Sequence, residues 1–197
     1  MERKLLVRKV VVGGEKIVER WSVLVDDGKG KASEVLGETL KFIEEYGLPD
    51  VKVEKVDLIA RHPLETSLAA RLWKGSKARE FLMVTNENEW LKDFKMYIGA
   101  KDYGNSLGVS WYLTCEPGFM KRLFSTVLFH GKTKEIRRVT PDKALSFALD
   151  IFSQQDLIAY VTCVHHSLLK AVEKILRELG QDPSKIDRKS KGFLGVS

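Results

Sequence analysis

Val109-Ser110-Trp111-Tyr112-Leu113-Thr114-Cys115-Glu116-Pro117-Gly118-Phe119 is the stretch where the chain changes character. As far as Cys115 it is bulky, aromatic and β-branched, which predicts a central strand, and Pro117-Gly118 ends that strand. Beyond it Phe119, Met120, Leu123, Phe124, Val127 and Leu128 recur at helical spacing until Gly131. The reading is an α+β fold: a mixed β-sheet of about five strands with intervening helices in residues 1–116, and an all-helical part, 117–180, docked on it. A basic tail, 181–197, follows. No Pro/Gly/Ser-rich linker separates these parts, so one continuous globular unit is expected.

Towards the N-terminus, Leu5 to Val12 is a β-branched run and Ile17, Glu19, Trp21, Val23 and Val25 mark one face of a second strand. Gly13-Gly14 between them suits a tight turn, so the pair is expected to form a hairpin. A helix with Ser33 as N-cap and Gly47 as C′ comes next, then a strand from Val51 to Ala60, a short helix opened by Pro63, and a strand from Glu80 to Thr85. Trp90, Leu91, Phe94, Tyr97 and Ile98 fit a helix capped by Asn88, although Phe94, Met96 and Ile98 also alternate as a strand would. Asp102-Tyr103-Gly104-Asn105-Ser106 is turn chemistry.

Towards the C-terminus, Thr140-Pro141-Asp142 is a helix start with the stripe Leu145, Leu149 and Phe152 behind it. A long helix beginning near Gln154 or Asp156 keeps Leu157, Val161, Val164, Leu168, Val172, Ile175 and Leu179 on one face. Asp182-Pro183 opens a further turn.

The 197 residues, 44% hydrophobic, carry 33 Lys+Arg against 27 Asp+Glu, a formal charge of +6. This excludes disorder as the main state and collagen-like or low-complexity chains. No apolar run approaches the ~18 residues of a membrane span, and the charged start Met1 to Lys9 is no signal segment, so a cytoplasmic protein without a membrane partner is expected. The two cysteines, Cys115 and Cys163, imply no disulfide framework and read as small buried side chains. Scarce Asn and Gln beside abundant Lys and Glu resemble a thermophile's composition.

Several constellations bear on chemistry. Asp27-Gly28-Lys29-Gly30-Lys31 lies between a strand and a helix, where backbone amides attract phosphate, but Ala32 stands where a P-loop needs a hydroxyl. A polar surface turn is the simpler account. Asp26, Asp27, Asp57 and Glu116 lie near strand ends, and carboxylates converging there would hold Mg²⁺ for phosphate-ester hydrolysis. His165 and His166 on the long helix point in different directions at about 100° per residue and do not share a metal; no HExxH or CxxC spacing occurs, so no metal or cofactor is expected. The stretch Tyr103 to Tyr112 offers Tyr, Asn and Ser hydrogen bonds beside an aromatic wall, as either a ligand-lining turn or sheet core.

Positive charge is the broadest signal. Lys121, Arg122, Lys132, Lys134, Arg137 and Arg138 meet only Glu135 between Pro117 and Thr140, and the tail adds Lys185, Arg188, Lys189 and Lys191; a third cluster is Arg71, Lys74, Lys77 and Arg79. Phe119, Phe124 and Phe129 read as helix core rather than as interleaved stacking platforms. The expected function is non-catalytic binding of DNA or RNA with low sequence specificity. Its phosphate contacts are Lys121, Arg122, Lys132, Lys134, Arg137, Arg138, Lys189 and Lys191. The alternatives are a protein–protein assembly module that docks through the long helix or Phe193-Leu194, and a metal-dependent phosphoesterase or nuclease.

Overall fold

A computed structural model describes residues 8–12, 15–60, 78–119, 149–192 and 194–197. The fold is α+β on a mixed sheet, as expected, but the sheet has seven strands rather than about five. These are β1 (Arg8–Val12), β2 (Lys16–Val25), β3 (Val51–Ala60), β4 (Arg79–Asn86), β5 (Phe94–Tyr103), β6 (Ser106–Cys115) and β7 (Lys191–Gly192), in the spatial order β1-β3-β4-β5-β6-β2-β7. Helix α1 (Ala32–Tyr46) connects β2 to β3, and α2 (Ile151–Glu178) follows the sheet. The short β7 lies in the basic tail, beyond the part expected to be helical.

The expected hairpin between β1 and β2 does not form. β2, β6, β5, β4 and β3 are linked by four antiparallel pairings, so β3 runs in the direction of β2; β1 is parallel to β3 and therefore to β2 as well. Strands that run the same way cannot be joined as a hairpin.

Two further readings are corrected. Residues 94–98 belong to strand β5, not to a helix: the alternation of Phe94, Met96 and Ile98 prevails because all three are buried on one sheet face while Tyr97 points to the other. Tyr103 and Ser106 pair across the two-residue turn Gly104-Asn105, with Gly104 at φ +62°, so that turn is as read. In β2 a register shift between Ile17 and Glu19 turns Val18 and Glu19 inwards and leaves Ile17 55% exposed, against the simple alternation.

Helix α1 starts at Ala32 rather than behind Ser33, and ends at Gly47 in the left-handed conformation (φ +58°). Helix α2 starts earlier than its stripe suggests, because Asp150 is the cap: one carboxylate oxygen accepts from the amides of Phe152 and Ser153, both at 2.9 Å. Phe152 is consequently exposed instead of continuing the stripe. Leu157, Val161, Val164, Leu168, Val172 and Ile175 are buried as expected, against α1 and the sheet. That stripe is buried within the chain, and Leu194 also packs on this core, while Phe193 lies outside the described residues. None of the helices among the described residues is long and apolar enough to cross a membrane.

The two sheet faces differ. The face under α1 and α2 carries the main core, with Trp21, Leu82, Ile98, Trp111 and Leu113. The opposite face holds only a small cluster at one end, Val56, Met83 and Tyr97, with Val10, Val12, Leu58 and Phe81 around it. The rest of that face, among the described residues, is mostly polar, with Leu24 as an exposed apolar exception.

Candidate nucleic-acid interface

Strand register dictates what the polar face presents. Lys191, Arg20 and Tyr112 form one row across β7, β2 and β6; Ser22, Ser110 and Gly99 form the next; Leu24, Gly108 and Lys101 form the third. The small side chains of the second row and of Gly108 leave a hollow between larger neighbours. The Phe81 ring lies over Gly99, where a Cβ would stand 2.4 Å from it, and the Tyr103 ring lies over Gly108, 3.0 Å from such a Cβ.

A cleft of about 430 Å³ results, with Phe81, Tyr103 and Tyr112 as aromatic walls and Arg79 and Lys101 as cations. A second cleft, of about 200 Å³, is lined by Arg20, Trp21, Tyr112, Lys189 and Lys191. The two share Ser22 and Tyr112 and so adjoin. Arg20, Arg79, Lys101, Lys189 and Lys191 thus come from four stretches of chain to one surface, and among the described residues none of them is ion-paired. The Lys101 ammonium lies 5.0 Å from the Tyr103 ring centre. Two acids border the clefts, Glu80 and Asp187, and the Asp187 carboxylate already accepts from the Lys189 amide at 3.0 Å.

Of the expected phosphate contacts, Lys189 and Lys191 lie in this surface; Lys121, Arg122, Lys132, Lys134, Arg137 and Arg138 fall outside the described residues, as do Arg71, Lys74 and Lys77. Arg20 and Lys101 were missed because each is isolated in sequence, and only strand register places them beside Tyr112 and Tyr103. Tyr103 to Tyr112 proves to be both sheet core and cleft lining, since alternate residues serve opposite faces.

The polar cavity of about 320 Å³ at the other end of this face differs. Its cations Arg8 and Lys52 pair with Glu54 at 3.2 and 2.9 Å, and Lys95 pairs with Glu116 at 2.5 Å. Hydrogen bonding to Lys52 is the main influence holding the Glu54 carboxyl below its ordinary range. The buried Tyr97 hydroxyl there lacks a hydrogen-bond partner among the described residues, and burial, then Glu15, raises its pKa.

The remaining candidates form no site among the described residues, and the Asp27 to Lys31 loop is the polar surface turn expected. The Gly28 to Lys31 loop is no phosphate cradle: the Gly30 amide donates to the Asp102 carboxylate at 3.1 Å and the Lys29 amide to the Asn105 carbonyl at 3.1 Å, while Lys31 pairs with Glu34 and Glu178. The four strand-end acids do not converge. Asp26 and Asp27 follow the end of β2 and accept from Ser106 and Asn105, whereas Glu116 stands at the far end of β6. Asp57 faces Glu80 across β3 and β4. Among the described residues no group of three or more His, Cys, Asp or Glu side chains is placed to hold a metal ion.

His165 is a structural residue. It is fully buried between Trp21 and Trp111, with both ring nitrogens bonded, while His166 bonds the Ser197 carbonyl at 3.0 Å. Compared with known protein families, curated proteins and solved structures, the chain matches none.

Proposed function

We propose that the protein binds single-stranded nucleic acid without catalysis, on the polar face of the sheet rather than on a basic helical face. The observation that carries this reading is the gathering, from four segments, of five cations with no ion-pair partner among the described residues around two adjoining clefts walled by Phe81, Tyr103 and Tyr112. Cations release counterions from phosphates, and aromatic faces stack unpaired bases of any sequence, which is the combination non-specific single-strand binders use. Concave clefts of this size suit splayed bases better than the outside of a duplex.

The test is fluorescence anisotropy of labelled oligothymidylate and oligouridylate of about 16 nucleotides. If all five cations meet phosphates, log affinity falls with log salt at a slope of about −3.5. Tyr112→Ala weakens binding by ~1–3 kcal/mol if it stacks a base. Binding that is absent at low salt, equal for a duplex, or unmoved by Arg20→Ala and Lys101→Ala overturns the proposal.

A further inference from the structure

Glu19 is 1% exposed and sits on the helix-facing side of β2, yet among the described residues no cation pairs with it. A buried carboxylate without a counter-charge is costly unless donors surround it. Here all its donors among the described residues come from the C-terminal tail. One oxygen accepts from the Ser190 hydroxyl and from the Gly195 amide at 3.1 Å, and the other accepts from the Leu194 amide at 2.7 Å.

The tail is fastened at further points. The Trp21 indole donates to the Asp187 carbonyl and His165 to the Arg188 carbonyl, each at 2.7 Å, and Val196 is buried in the main core. Gly192, at φ +152°, lies so close to β2 that an added Cβ would stand 2.5 Å from both Glu19 Oε2 and the Val18 carbonyl. Ser190 turns inwards to Glu19, so its neighbours Lys189 and Lys191 in the extended chain turn the other way, into the cleft beside Arg20 and Tyr112.

We infer that the described tail residues, 187–192 and 194–197, are a clasp that completes the nucleic-acid surface, and that Glu19 is the positioning residue that seats it. This rests on the nucleic-acid reading above and adds its regulation: docking of the tail and binding of the strand favour each other, and the coupling is reciprocal.

Gly192→Ala lifts the tail sterically without altering the rest of the sheet, and Glu19→Gln does so from below. Amide hydrogen exchange across residues 188–196, measured with and without oligothymidylate, and the salt slope of binding read the two sides of the coupling. In Gly192→Ala the tail exchanges at least about tenfold faster than in the wild type. The slope becomes shallower by about 1.4, the loss of two phosphate contacts. Lys189→Ala/Lys191→Ala shows the same slope, and adding it to Gly192→Ala costs nothing further. Tail exchange unchanged in both Gly192→Ala and Glu19→Gln, an unseated tail with an unchanged slope, or fully additive losses overturn the inference alone. A wild type that binds no oligonucleotide overturns the nucleic-acid reading and this inference with it.

Discussion

The indole nitrogen of Trp111 donates to Nδ1 of His165 at 2.9 Å, and this bond fixes the protonation state of the imidazole. Indole can only donate, so Nδ1 bears a lone pair, and Nε2 carries the proton that it gives to the Arg188 carbonyl. The ring is neutral in the folded protein. Burial is the main influence holding its pKa below the ordinary histidine value.

Stability should accordingly depend on pH in one direction. The unfolded chain takes up the proton near pH 6.5 while the folded chain resists it. The contribution of His165 is therefore complete above that pH and is lost as pH falls below it, by at most ~1.4 kcal/mol per pH unit. Urea unfolding from pH 7.5 to 5 should show a steeper decline for the wild type than for His165→Phe, and parallel curves would disprove the assignment.

The Tyr160 hydroxyl, fully buried on α2, donates to the Val84 carbonyl of β4 at 2.9 Å and ties the helix to the sheet. Tyr160→Phe keeps the ring but removes the donor. A loss of ~1–3 kcal/mol in chemical denaturation is expected, with an unchanged denaturant slope because the buried area is the same.

Gly99 and Phe81 form a steric pair, since the ring occupies the space that a Cβ at residue 99 would need. Gly99→Ala should cost ~1–3 kcal/mol through overpacking. A double-mutant cycle with Phe81→Ala should return a large part of that cost. Equal penalties in both backgrounds would place the ring elsewhere.

Burial, then Asp93 and Glu116, pushes the Cys115 thiol up to about 12. In the native protein at pH 8, iodoacetamide followed by peptide mapping should leave Cys115 unmodified, and labelling should appear only in denaturant. Native labelling at a rate near that of a free thiol would contradict this environment.

Local signals were legible wherever one short stretch carried them. The β6 strand, the turn at Gly104-Asn105, the left-handed Gly47 and the buried stripe of α2 all follow from spacing and turn chemistry. Residues 94–98 satisfied two periods at once, and only burial of Phe94, Met96 and Ile98 on one face selected the strand. The start of α2 was obscured because a capping carboxylate, Asp150, outweighs the apolar stripe in deciding where a helix begins.

Strand pairing and convergence were decided at a different level. Gly13-Gly14 between two β-branched runs reads as a hairpin, yet whether such runs pair with each other depends on partners as distant as β3 and β6. Arg20, Lys101 and Lys191 become neighbours of Tyr112 and Tyr103 only through register across four strands, and Glu19 is a caged carboxylate only because the last residues of the chain return to it. Composition and periodicity act within a turn or two and so determined the α+β class and most of the described elements and their buried faces, though not residues 94–98, Ile17 or β7. Sheet order, the polar face and its adjoining clefts depend on contacts between residues far apart in the chain, which no local pattern encodes, and these the tertiary structure alone decided.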